Sequence, residues 1–218
     1  MNQTSNTARA ALFDFDLTLM DTSYAITDCT NILADEFGLR RVTRDELFKL
    51  IGMPILDTWM ALWGESRSEW LDFYRQNFSE RERSGFREFP CTRSAVERLR
   101  ANGVLTGVVT NRNKGRLAVE GCGLAYLFDV IIGLEDVNNP KPHPEPLLKA
   151  MSLLGVGPEA AFYIGDTDID MKTAKSALVR GVGVTTGSFG EEKLISAGAE
   201  IACANLDIAA DYILREVQ

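Results

Sequence analysis

The stretch LFDFDLTLM, residues 12–20, sets two aspartates into an otherwise apolar run. Burying an ionised carboxylate without a partner is costly, so Asp14 and Asp16 need a reason to be there. AALFDF, residues 10–15, reads as a short buried strand, with both aspartates where the chain leaves it. One strand cannot be buried alone. The rest of the chain must supply a sheet around it.

It does so after a long helical interval. From about 22 to 87 strand signals are few. Ile26, Ile32, Leu33 and Phe37 recur at helical spacing before Gly38. TRDELFKLIG, residues 43–52, starts with Thr43 and carries Glu46 three positions on, a capping-box pattern ending at Gly52. PILDTWMALWG, residues 54–64, opens on Pro54, a residue suited to a first helical turn. From about 94 the pattern changes. Apolar strand-like runs at 104–110, 128–133, 161–165 and 180–185 alternate with helical stretches near 93–102, 114–121, 144–154 and 169–177. Such alternation predicts a parallel sheet wrapped by helices. The expected architecture is α/β, a Rossmann-like parallel core built from 1–20 and 90–218, with an all-helical insertion over 21–89.

In an open parallel sheet, ligands bind beyond the carboxyl ends of the strands. The polar residues expected there are Asp14, Asp16 and Thr18 after the first strand and Thr110 and Asn111 after the second. Lys141 follows the third, in NNPKPHPEP, and Asp166, Asp168 and Asp170 follow the fourth, in GDTDID. Four separate segments thus deliver carboxylates, a hydroxyl and an ammonium to one edge. Several carboxylates make an oxygen-rich site for Mg²⁺, which also accepts phosphate oxygens. A carboxylate can act as nucleophile through an acyl phosphate, and a second can carry the proton. Thr110 and Lys141 suit the phosphoryl oxygens.

DFDLT, VVTN, PKPHPEP and GDTDID, in this order and each after an apolar strand, resemble the four motifs of the haloacid dehalogenase-like (HAD) hydrolase superfamily. The resemblance covers the whole chain and is nearest in wording to the phosphoglycolate phosphatase-like branch. It implies a mobile helical cap hinged near 18–23 and 85–91. It also implies Asp14 as nucleophile and Asp16 as general acid/base whose backbone carbonyl ligates Mg²⁺. Thr110 and Lys141 would bind the phosphoryl group, with Thr18 and the Asn111 backbone beside it. Asp166 would be a further metal ligand, and Asp170 would bond metal-bound water or Lys141. Leu17 and Cys91 stand where this branch often carries glycine.

These readings have plainer rivals. A lone D-x-D-x-T fits a turn or helix cap; four motifs in order do not. Asp168 matches no required position and reads as an N-cap or surface carboxylate. His143, the only histidine, reads as a structural loop residue, and Trp59 and Trp63 read as core. VGVTTGSFG, residues 182–190, could line a phosphate pocket through backbone N–H groups, but a plain turn is the favoured reading.

Asp16 favours phosphoryl transfer to water over dehalogenation, which needs no acid at that position. The β-phosphoglucomutase-like pattern carries an arginine where Ile55 stands, which weakens a mutase reading. The expected function is Mg²⁺-dependent hydrolysis of a small phosphorylated metabolite, a phosphoglycolate-like phosphomonoester. A phosphomutase, a pyrophosphatase and a non-enzymatic HAD-like binding protein are the alternatives.

Composition narrows the partners. The 218 residues carry a net charge of −8, which argues against nucleic acid. No apolar run approaches a membrane span. The opening MNQTSNTARA lacks the apolar centre of a secretory signal, and four scattered cysteines fit free thiols in a reducing cytoplasm. A homodimer is compatible with the chain.

Overall fold

The computed structural model describes residues 9–216. The polar opening, read above as no signal, lies outside them except for Arg9 and Ala10.

The sheet strands are β1 (Arg9–Phe13), β4 (Val104–Val109), β5 (Val130–Ile132), β6 (Ala161–Gly165), β7 (Arg180–Val184) and β8 (Ile201–Cys203). A two-stranded antiparallel ribbon is formed by β2 (Met20–Asp21) and β3 (Arg87–Glu88). The six sheet strands are parallel in the order β5-β4-β1-β6-β7-β8. β1 is therefore central. The chain moves from β1 outward through β4 and β5 on one side, then returns to β6 on the other, so the order reverses beside β1. That reversal opens a crevice at the strands' carboxyl ends.

β1 shows why such strands are apolar throughout. Ala11 and Phe13 face a cluster with Ala95, Val96 and Leu99 of α6 (Thr92–Ala101) and Ala209, Ala210 and Ile213 of α11 (Leu206–Glu216). Ala10 and Leu12 face Leu147, Ala150 and Met151 of α8 (Glu145–Leu154) and Ala174 of α9 (Asp168–Ser176). Period-two alternation with helices on both faces leaves no polar side of the strand. α7 (Gly115–Gly121) and α10 (Glu191–Ala197) complete the layers. The strand readings hold to within two residues at each end, whereas β8, α10 and α11 carried too short or too mixed a pattern to be read.

Between β2 and β3 lie α1 (Ser23–Glu36), α2 (Arg44–Phe48), α3 (Ile55–Trp63), α4 (Ser68–Asn77) and α5 (Ser79–Ser84). Their core is separate from the sheet's and aromatic. Trp59 and Trp70 meet edge-on with ring centres 6.2 Å apart, and Trp63 meets Trp70 at 5.6 Å. Trp63 is half-buried and donates its indole N–H to the Arg40 carbonyl at 2.9 Å. The Thr43–Glu46 capping box forms, although the helix it starts is only five residues long. Pro54 stands one position ahead of its helix, at the N-cap. Among the described residues, no helix is long and apolar enough to cross a membrane.

Candidate active site

β1 ends at Phe13, and the next residues leave the sheet at its carboxyl edge. Asp14 is anchored there because its N–H donates to the Ile164 carbonyl of β6 at 2.8 Å. Leu17 then turns the chain with φ +56°, a left-handed conformation that glycine adopts without strain. Leucine is tolerated because its side chain is buried with Leu47 and Ile51 of the helical unit. Asp14 and Asp16 precede that turn, with Phe15 between them, and their carboxylates face different partners.

Lys141 lies under Asp14. Its ammonium donates to Asp14 Oδ1 at 2.8 Å, Asp170 Oδ1 at 2.7 Å and the Tyr163 hydroxyl at 2.9 Å. All three of its N–H donors are thus used inside a site only 3% exposed at Lys141. Burial opposes the Lys141 cation, but the Asp14 and Asp170 carboxylates outweigh it and hold its pKa above the usual lysine range.

Carboxylate oxygens of Asp14, Asp166 and Asp170 lie within 4.8 Å of one another, all buried. One ammonium faces three carboxylates. Desolvation pushes the Asp14 carboxyl up to about 7 despite Lys141, and desolvation with the Asp170 and Asp14 charges raises Asp166 well above the carboxylate range. A buried oxygen set short of positive charge fits a hard divalent cation such as Mg²⁺. Asp16 adds no carboxylate oxygen to this trio.

The remaining expected residues divide. Thr110 is buried beside the cavity, and its hydroxyl accepts from the Arg112 N–H at 3.1 Å. Thr18 donates to Asp166 Oδ1 at 3.1 Å, so its hydroxyl is turned to a carboxylate. The Asn111 amide donates from Nδ2 to the Lys141 carbonyl at 3.0 Å and accepts the Lys141 N–H on Oδ1 at 2.9 Å. Its side chain therefore holds the Lys141 loop. Thr167, not Asp168, caps α9, receiving the Asp170 N–H; Asp168 pairs on the surface with Lys172. His143 Nδ1 accepts the Glu145 N–H at 3.2 Å, a loop contact.

Above these groups lies a cavity of about 440 Å³ between sheet edge and helical unit. Asp14, Asp16, Thr110 and Lys141 line it from below, and the Gly52–Met53–Pro54 turn and Ile55 from above. Gly52 has φ +102°, and a Cβ there would come to 3.3 Å from Thr167 Cγ2.

The family model of haloacid dehalogenase-like hydrolases matches residues 11–184. The chain belongs to that family. This haloacid dehalogenase-like hydrolase is 31% identical over 191 residues to pyrophosphatase PpaX of Bacillus pumilus strain SAFR-032, covering 87% of this chain and 88% of that protein. A crystal structure described as a haloacid dehalogenase-like hydrolase from Bacteroides fragilis matches with TM-score 0.84 at 29% identity, over 93% of this chain and 100% of that one. A predicted phosphoglycolate phosphatase from Haemophilus somnus 129PT shares the fold, with TM-score 0.83 at 19% identity, over 99% and 100%.

Three contributors to this hydrolase's site escaped the sequence reading. Tyr163 accepts from Lys141 and lies 2.9 Å from the Val109 carbonyl and 3.1 Å from Asp170 Oδ1. Its signal was a lone hydroxyl inside the buried run AFYIG. The turn after β7 is more than a plain turn: Thr186 donates to the Leu17 carbonyl at 2.5 Å. At Gly187 a Cβ would sit 1.8 Å from Asp166 Oδ2, so only glycine allows that approach. Arg112 is the third. Its Nε lies 3.2 Å from Asp16 Oδ2 and its Nη2 2.5 Å from Asp16 Oδ1. An arginine three residues past the end of β4 reads as surface until the fold brings carboxylates to it.

Proposed function

We propose that this hydrolase is a Mg²⁺-dependent phosphatase that acts on a small phosphorylated metabolite through an aspartyl-phosphate on Asp14. The observation that carries the reading is Lys141 bonded to both Asp14 and Asp170 beneath a cavity lined by the sheet edge and the helical unit together. Such an ammonium stabilises charge on transferring phosphoryl oxygens while keeping the nucleophilic carboxylate in place.

In this reading residues 1–20 and 90–218 are the catalytic core and 21–89 the cap. Asp14, the Asp16 carbonyl and Asp166 would hold Mg²⁺, with Asp170 bracing Lys141. Bound there, Mg²⁺ would supply positive charge for the carboxylates and the substrate phosphate. Asp14 attacks phosphorus, and the bond to the leaving oxygen breaks as Asp16 gives that oxygen a proton. Asp16 then takes a proton from the water that opens the acyl phosphate, and phosphate leaves. Thr110 holds a phosphoryl oxygen through its hydroxyl, and the Lys141 ammonium beneath Asp14 stabilises the phosphoryl charge electrostatically. Closure of the cap turn excludes bulk water.

The cavity also speaks to the leaving group. Arg75, Arg83 and Lys114 line it, and their side chains make no hydrogen bond or ion pair among the described residues. Three cations that pair with no described residue, all lining one cavity in a chain of net charge −8, favour a leaving group with its own negative charge. A phosphoglycolate-like phosphomonoester meets that condition. Pyrophosphate meets it too, and the likeness to a pyrophosphatase supports it as the second reading. Ile55 in place of an arginine disfavours a mutase.

The test is phosphate release from p-nitrophenyl phosphate, phosphoglycolate and pyrophosphate, with and without Mg²⁺, using Asp14→Asn as control. Mg²⁺-dependent turnover that Asp14→Asn abolishes is expected. No Mg²⁺-dependent turnover on a phosphometabolite panel contradicts the reading.

A further inference from the structure

The Asp16 carboxylate is linked to the helical unit twice, directly at the start of α1 and through Arg112 to α5. On one side it accepts the Thr22 hydroxyl at 2.6 Å, at the entrance to α1. On the other, the Arg112 guanidinium takes both of its oxygens, and Arg112 Nη1 reaches on to Glu82 Oε1 of α5 at 3.0 Å. Side chains of Asp16 and Arg112 are each 12% exposed, and that of Glu82 is 9% exposed. The guanidinium lies 4.8 Å from the Phe86 ring centre and 5.7 Å from that of Phe15, so its plane is fixed by rings as well as by charges.

A planar fork on both oxygens of a carboxylate sets its rotation as well as its distance. Here the fork's third arm is gripped from across the cavity. Glu82 thereby connects α5 to the guanidinium that sets the Asp16 carboxylate. No other described side chain joins Asp16 to α5.

We propose that Arg112 is a positioning residue that aims the Asp16 carboxyl at the leaving-group oxygen, with Glu82 making that aim follow the cap. The inference rests on Asp16 being the proton carrier of the proposed reaction. It assigns Arg112 no contact with substrate: Nε and Nη2 are engaged by Asp16 and Nη1 by Glu82.

The aim of a general acid is read by how much a substrate needs it. Nitrophenolate leaves without a proton, whereas phenolate leaves far less readily and depends on one. The experiment compares kcat/KM for phenyl phosphate and p-nitrophenyl phosphate, which share size and shape at the reacting end. Wild type, Asp16→Asn, Arg112→Lys and Glu82→Gln are measured with Mg²⁺, and thermal unfolding checks that each is folded. Asp16→Asn sets the full loss on phenyl phosphate, on the order of 10²-fold or more. Arg112→Lys, whose ammonium has no planar fork to set the rotation of the Asp16 carboxylate, is expected to lose at least about tenfold more on phenyl than on p-nitrophenyl phosphate. Glu82→Gln is expected to show a smaller loss of the same selectivity, and carries the test if Arg112→Lys does not fold.

Equal losses on both esters would mean that the triad only holds the fold, and would overturn the inference. A phenyl to p-nitrophenyl ratio unchanged from wild type would overturn it as well. Failure of wild type itself to turn over either ester with Mg²⁺ contradicts the proposed activity, which separates that failure from one of Arg112 alone.

Discussion

Asn111 grips the backbone of Lys141 at both polar atoms, giving Nδ2–H to its carbonyl at 3.0 Å and taking its N–H on Oδ1 at 2.9 Å. The second residue past β4 thereby fixes the loop after β5, and with it the ammonium beneath Asp14. Asn111→Ala removes both bonds without touching a reacting group. Since displacement of a catalytic group by about 1 Å can cost 10²-fold, kcat is expected to fall by roughly 10- to 100-fold with a smaller change in KM. Steady-state kinetics checks this; a changed KM with kcat intact would place Asn111 on the substrate instead.

The pKa of Asp14 makes metal-free stability depend on pH. Burial raises it from 3.8 to about 7 in the folded chain. An acid raised on folding destabilises the native state wherever the unfolded chain ionises and the folded one does not. Stability is then lost as pH rises from about 4 to about 7, and changes little beyond. Asp166 is raised by the same cause and adds to the slope, while Lys141, raised above its usual range, stays charged throughout and adds none. Without Mg²⁺ the melting temperature should therefore fall across that window, less steeply in Asp14→Asn. Because ligands must be deprotonated to bind, added Mg²⁺ should raise the melting temperature more near pH 8 than near pH 5. A larger Mg²⁺ effect at the lower pH would contradict this account.

Tyr163 sits where a hydroxyl serves Lys141, Asp170 and the Val109 carbonyl together. Tyr163→Phe keeps the ring and leaves a buried ammonium one acceptor short. The expected cost is about 1–3 kcal/mol of stability, read from the urea midpoint. A change within error would show that the hydroxyl is dispensable.

Leu17 trades backbone strain for burial. Its left-handed φ costs roughly 1–2 kcal/mol, and truncating a buried leucine to alanine costs about 2–5 kcal/mol. Leu17→Ala keeps the strain and loses the packing against Leu47 and Ile51. Leu17→Gly loses the packing but relieves the strain. Both variants should be less stable than wild type, with glycine the milder by about 1 kcal/mol at equilibrium urea unfolding. Alanine being the more stable of the two would refute the trade.

What could be read in advance followed from short-range pattern. Apolar runs with both faces buried announced β1, β4 and β6, and acidic or hydroxyl residues at their ends announced the crevice. The Thr43–Glu46 box was legible because both partners lie within one turn. What could not be read depends on closure over long sequence distances. Arg112 meets Asp16 across 96 residues and Glu82 across 30. Thr186 reaches Leu17 across 169. The same limit hid the duties of Thr18 and Asn111, whose partners are another motif's Asp166 and Lys141 rather than open space. Leu17 showed as a departure from glycine, but only the buried contact explains why it is tolerated.

The central claim is that Asp14 carries the phosphoryl group. Acid quench of the enzyme during turnover with Mg²⁺, followed by mass spectrometry of its peptides, tests it most directly. The account predicts a phosphoryl group on the peptide containing Asp14, trapped in greater amount by Asp16→Asn, which opens the acyl phosphate more slowly. Turnover with no phosphorylated peptide in either protein, or with the phosphoryl group on another residue, would contradict it.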